Sequence, residues 1–355
     1  MGAENQEIRD IAAYLAQTSG GELEHYLPEA VTMVASAKAK NAEAAALREG
    51  ATSDEAAAIA AATALGSDWP SDTDMLEVAA KLGGSAEGRR VTFPGPGNQQ
   101  ISIIFSKLLR DADQKMIVAD FFVYGPGSAA KKYVHQKLGT TGRHPLIDAA
   151  MKARAAMTWR QTLPAPGTPV EEYLRSRALI LPVPPALRFH QRLFYSEGKT
   201  HRHWPAMISQ RSDVDGNIVG VHRTWLQHDG RGKAPYGSDA KKDLGSTSGT
   251  AIRLSPVADE LMIGEGIETT LSAMQVSGKP GWAAGNTGVL CNMILPIQIK
   301  SIIILADRDE PGEAAARFAR QRWLAEGRRV RIARPPGDHN DFNDALMANA
   351  RRSAP

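Results

Sequence analysis

Cysteine is nearly missing from this chain: among 355 residues there is one, Cys291. A single thiol excludes a disulfide framework and any zinc site built on several thiolates, and it fits a reducing compartment. Long apolar runs are missing too. No stretch approaches the roughly 18 residues a membrane span needs, and the N-terminus has no charged segment followed by an apolar core. Met1-Gly2 begins like a myristoylation signal that Asn5-Gln6 does not complete. Nor is there a large surplus of either charge, since 42 basic against 39 acidic residues leave a formal +3. Mild basicity permits nucleic-acid binding without demanding it, so the placement of charge matters more than its sum. The expectation is a cytoplasmic protein of two or three domains, without membrane contact, with an ordinary hydrophobic content of 43%.

Four blocks follow along the chain. Residues 1–82 are alanine-rich with apolar positions at helical spacing, and Thr52-Ser53-Asp54-Glu55 reads as a capping box opening a third helix. Residues 83–160 change to short strand-like runs, Arg90 to Phe93, Ile101 to Phe105 and Lys115 to Val123, then a lysine-bearing helix from Gly127 to Leu138. A small α+β region is expected there. The proline-rich stretch Leu163 to Pro169 reads as a boundary, because proline favours extended backbone and cannot donate into helix or sheet. Residues 161–256 should be α+β, with a helix over Glu171 to Arg177 and a hairpin from Ala206 to His222 turning at Asp215-Gly216. Residues 257–350 alternate. Strands at Leu261 to Gly264, Gly281 to Ala284, Ser301 to Ala306 and Arg329 to Ile332, with helices at Ile267 to Ser277 and Gly312 to Gly327, predict a parallel α/β sheet.

Carboxylates gather where two of these strands run out: Glu265-Gly266-Ile267-Glu268, then Asp307-Arg308-Asp309-Glu310-Pro311-Gly312. Ligands of open α/β sheets bind beyond the carboxyl ends of the strands, so acids about forty residues apart can meet there. Asp307 and Asp309, two apart, share a side on extended backbone. Oxygen donors of this kind suit Mg²⁺, which takes one or two carboxylates, several waters and substrate phosphates. Taken alone, Glu265 is a first-turn acid suited to a helix dipole, and Glu268 is a helix-start charge. With Asp307 and Asp309 at the matching strand end, a metal site is preferred. A third acidic stretch, Asp338 to Asp344, follows Pro335-Pro336-Gly337.

These motifs resemble the Toprim domain shared by DnaG-type primases, topoisomerases and some nucleases. Glu265-Gly266 is similar to its strand-ending glutamate and glycine. Asp307, Asp309 and Gly312 are similar to its Asp-x-Asp and helix start, and Asp341 is the preferred match to its third acid. Arg308 stands where that family most often has glycine. Upstream, the Tyr173-Leu174-x-x-Arg177 helix and the Asp215 to Gly220 hairpin resemble the DnaG-type polymerase core, and Arg223, Lys233 and Lys241 or Lys242 match its basic positions. The resemblance covers roughly residues 168–346 and fails at the zinc-binding module, for which no cysteines are available.

The resemblance implies a phage- or plasmid-type primase making short RNA primers on single-stranded DNA. Glu265, Asp307 and Asp309 would be catalytic. Together with Asp341 they would hold Mg²⁺ or Mn²⁺, without zinc. Arg223, Lys233, Lys241 and Lys242 would contact template or nucleoside triphosphates, and any replicative-helicase contact would use the N-terminal region. A Toprim nuclease and a non-catalytic single-strand-binding accessory protein remain the alternatives. Other motifs are set aside: Glu197-Gly198-Lys199-Thr200 lacks the first P-loop glycine, His201-x-His203 lacks further ligands, Gly95-x-Gly97 reads as a turn, and Trp204 and Trp225 read as core more than base-stacking platforms.

Overall fold

The computed structural model describes residues 9–13, 15–17, 23–64, 72–87, 90–95, 100–110, 116–124, 127–138, 145–197 and 200–352. Gly97, Gly198, Lys199 and the N-terminal Met1, Gly2, Asn5 and Gln6 lie outside them. Two compact units divide the chain, Met1–Ala153 and Arg154–Pro355.

In the first unit, α1 (Leu23–Arg48) and α2 (Ser53–Ala64) pack on each other. The capping box forms as expected: the Thr52 N–H donates to Glu55 Oε2 at 2.8 Å, and the Glu55 N–H returns to Thr52 Oγ1 at 3.3 Å. Further on, α3 (Asp72–Leu82) and α4 (Gly127–Leu138) cover an antiparallel sheet of β1 (Ser85–Glu87), β2 (Arg90–Pro94), β3 (Gln100–Arg110) and β4 (Met116–Tyr124), in that order. Met75, Val78, Phe93, Ile103 and Val134 form its apolar core.

The second unit takes in the end of α5 (Pro145–Arg160) and holds two five-stranded sheets. The first runs β5 (Leu163–Pro164), β6 (Leu187–Glu197), β7 (Thr200–Ser212), β8 (Ile218–Trp225) and β9 (Lys241–Gly245), all antiparallel. Leu163 and Pro164 thus belong to a sheet edge, where proline's missing N–H is tolerated, and the proline-rich stretch is only partly a linker. The turn between β7 and β8 is built by Asp213, whose carboxylate accepts from the Asp215 and Asn217 N–H groups, with Gly216 at φ +95°. Beside this sheet, α6 (Pro169–Ser176) starts at Thr168, whose hydroxyl accepts from the Val170 N–H.

The second sheet has the order β10 (Ile252–Arg253), β12 (Gly281–Ala283), β11 (Glu260–Gly264), β13 (Ser301–Leu305), β14 (Arg329–Ala333), parallel except for β10. All five residues of β13 are buried, as strands covered on both faces require. On one face α8 (Thr287–Asn292), through Val289 and Leu290, and α9 (Glu310–Ala325), through Ala316, Ala319 and Trp323, share a core with Ile263 and Ile304. On the other, α7 (Ile267–Ser277) and α10 (Phe342–Arg352) cover Met262, Ile303 and Leu305. From β11 the chain steps to β12 on one side and then returns to β13 on the other. The order therefore reverses at the β11–β13 crevice, the position where such sheets bind ligands.

Candidate metal and phosphoryl-transfer site

Glu265 and Asp307 project from that crevice. Gly264 is registered with Leu305 across the β11–β13 ladder, so Glu265 and Ala306 leave adjacent strands together. Gly264 must be glycine, since an added Cβ would stand 2.5 Å from Thr270 Oγ1. Just after it, Gly266 caps α7, and the Glu265 carbonyl accepts the Gly285 N–H at 2.7 Å.

Four acids from three loops surround the crevice. Burial and then Asp309 raise the Glu265 carboxyl, against the pull of Lys241. Asp307 is affected more: burial first, then Asp341, Glu265, Asp309 and Asp344, push it up to about 7. Its Oδ1 is buried without a hydrogen-bond partner. A buried, unpaired carboxylate oxygen among like charges is costly, and a cation removes that cost. Asp309 also caps α9, accepting the Gly312 N–H at 2.7 Å. Gly312 is required there because a Cβ would meet Asp309 Oδ1 at 2.9 Å and the Asp307 carbonyl at 3.0 Å. Asp341 in turn accepts the Asp344 N–H at 2.8 Å where α10 begins.

Arg308, between the two aspartates, reaches to the third acidic loop. Its N–H donates to the Asn340 carbonyl at 2.8 Å, and its guanidinium donates to the Pro335 carbonyl at 3.0 Å and lies 3.8 Å from Asp338. It ties the third acidic loop to the Asp307 turn. Asp338 itself is fully exposed.

The donors around the crevice are carboxylate oxygens, the ligand type that hard divalent cations take. Among the described residues, no three His, Cys, Asp or Glu side chains converge closely enough to hold an ion by themselves. A hard cation that keeps waters and takes one or two carboxylates plus phosphates needs no such convergence.

The basic residues separate by strand face. On β9, Lys241 and Asp243 point toward the parallel sheet, where Lys241 comes within electrostatic reach of Glu265 and Glu268. Lys242 points the opposite way, its Nζ 4.9 Å from the Tyr195 ring centre. Arg223, its partner in register, is on that same far face, over Trp225 and bonded to the Asp243 carbonyl at 3.1 Å. Lys233 is 3.0 Å from Glu268, which also accepts the Tyr173 hydroxyl. Burial would raise the Glu268 carboxyl, but Lys233, Tyr173, the helix N–H and Lys241 outweigh it and hold it down to about 2. Glu268 is thus more than a helix-start charge, since it pins α6 and the Lys233 loop to α7. Arg253 is spent on the Asp213 and Val214 carbonyls and on Trp282, and Arg175 pairs with Glu171.

Residues 260–352 match the Toprim domain family and are a Toprim domain; residues 149–254 match a family described as a domain of unknown function, DUF7146. No curated protein sequence matches the chain. Among solved structures, the catalytic core of DnaG is similar over 56% of this chain and 74% of its own, at 15% identity and a TM-score of 0.41. The primase fragment of the bacteriophage T7 primase-helicase is similar over 51% and 67%, at 19% identity and a TM-score of 0.34. The zinc-binding and RNA polymerase domains of the Aquifex aeolicus primase are similar over 79% and 82%, at 14% identity and a TM-score of 0.36.

Proposed function

We propose that this chain is a DnaG-like primase of the phage or plasmid kind, which joins nucleoside triphosphates into short RNA primers on single-stranded DNA. One observation carries the reading: Asp307 holds a bare, buried carboxylate oxygen at the switch point of a Toprim sheet, with Glu265, Asp309 and Asp341 in electrostatic reach. Glu265, Asp307, Asp309 and Asp341 would hold Mg²⁺ or Mn²⁺. When bound, the metal would lower the pKa of the attacking 3′-hydroxyl and offset charge on the triphosphate and the departing pyrophosphate. The chain itself contributes position and charge. On loading, Asp307 would release its proton to solvent. Lys241, exposed and facing Glu265, supplies a cation for the nucleotide phosphates, while Lys233 stays engaged with Glu268.

The test is incubation of the full chain with single-stranded DNA, labelled ribonucleotides and Mg²⁺ or Mn²⁺. Oligoribonucleotides are expected, and they are lost in Glu265→Gln and Asp309→Asn. Asparagine caps a helix as well as aspartate does, so Asp309→Asn removes the charge while leaving the α9 start intact. Cleaved DNA in place of primers identifies a nuclease, and binding without either product identifies an accessory protein.

A further inference from the structure

A largely buried polar network lies between the antiparallel sheet and the Toprim sheet, outside the acid cluster, with Asp243 partly exposed. At its centre is Arg211 of β7, fully buried. Its Nε donates to Asp243 Oδ1 at 2.7 Å, and one terminal nitrogen donates to the Ala284 carbonyl at 2.8 Å and Thr250 Oγ1 at 3.4 Å. The other terminal nitrogen has no partner and packs over Gly285, where any Cβ would collide with it. Asp243 also meets His222 Nδ1 at 2.8 Å and accepts from Asn286 Nδ2 at 3.3 Å.

Stability alone is a weak reason for such a network, because buried ion pairs are often replaced by apolar groups at no loss. Its two ends are more informative. Asp243 is two residues from Lys241 on the same face of β9, so whatever fixes Asp243 fixes the direction of Lys241. The Ala284 carbonyl held by Arg211 adjoins Gly285, whose N–H bonds the Glu265 carbonyl at 2.7 Å. Gly285 sits at φ +89°, a conformation that favours glycine, directly under the guanidinium.

We infer that Arg211 and Asp243 are positioning residues that set Lys241 and Glu265 opposite each other, one guanidinium bracing both. The inference rests on the reading of Glu265 as a working acid of the site, but its test does not require primer synthesis. In the full chain with ¹³C-methylated lysines, at fixed pH and without metal, Glu265→Gln is expected to move the Lys241 resonance, assigned by its loss in Lys241→Arg. In Asp243→Asn and Arg211→Lys backgrounds that response should shrink severalfold. The Gly285 amide should exchange about tenfold faster, the factor expected from one lost charge-assisted hydrogen bond, while amides of β13 keep their protection. Asp243→Asn keeps size and an acceptor, so it decides the matter if Arg211→Lys does not fold. An undiminished Lys241 response together with unchanged Gly285 exchange overturns the inference, whether or not the wild-type chain makes primers. Lost primer synthesis with both signals unchanged overturns it too, since these residues would then act by another route.

Discussion

Asp307 shows what the site costs the fold. Its ordinary carboxyl value of 3.8 is raised to about 7 by burial and the surrounding acids. A raised carboxyl means that the folded chain holds a proton the unfolded chain has released, so metal-free stability falls as pH rises from about 4 to about 7 and is level above. Asp307→Asn removes that slope. At pH 8 without metal the variant is expected to be more stable than wild type by on the order of 2 kcal/mol, read from urea denaturation at several pH values, and to lose its metal-dependent stabilisation. An unaltered pH slope would show that Asp307 is already ionised in the free chain. Glu265 and Asp307 are legible in sequence because strand ends and acid types are local facts. Whether Lys241 or Lys242 faces the acids is not, because that depends on strand register, and a one-residue change of register exchanges the two faces.

At the scale of elements, the start and cap signals carry the helices well. α7 spans Ile267–Ser277 as the sequence suggests, and Thr52 with Glu55 closes its box. Elements with weaker signals escape a reading of the sequence: β6 holds the bulky polar run His190-Gln191-Arg192, and α10 begins inside the acidic loop that resembles solvated surface. The contact between α6 and α7 is invisible there too, since Tyr173 and Glu268 are ninety-five residues apart. The same contact has a pH signature. Glu268 falls from 4.5 to about 2 in the fold, so its stabilisation is complete above about pH 4.5 and fades as pH drops toward 2. With Lys233→Met the buried carboxylate loses its cation, and a loss of about 2 kcal/mol at pH 7 is expected, discounted from the fully buried case because Lys233 is about one-third exposed. Glu268→Gln should flatten the acid limb of the stability curve between about pH 5 and pH 2, because a neutral amide has no proton to gain there. If neither variant changes urea midpoints, the pair is not holding α6 to α7.

For the whole molecule, each of the two compact units has its own apolar core, Met75 to Leu138 in one and the clusters around Trp225, Trp282 and Trp323 in the other. The sequence puts a boundary at the proline-rich stretch Leu163 to Pro169, while the two units meet at Ala153/Arg154 inside α5, a division set by non-local packing that local composition does not carry. Separate cores imply separate melting, and the acids belong to the second unit alone. Calorimetry of the full chain is therefore expected to resolve two transitions. A ligand that binds only the folded form stabilises by RT ln(1 + [L]/Kd), about 2.7 kcal/mol at a hundredfold excess over Kd, and each kcal/mol is worth roughly 2–4 °C for a unit of this size. Magnesium should raise one transition by that amount and leave the other in place. Asp307→Asn should raise the same transition in metal-free buffer and abolish its response to magnesium. A shift of both transitions together would mean that the metal acts outside the Toprim crevice, and the acid cluster would then lose its claim to be the binding site.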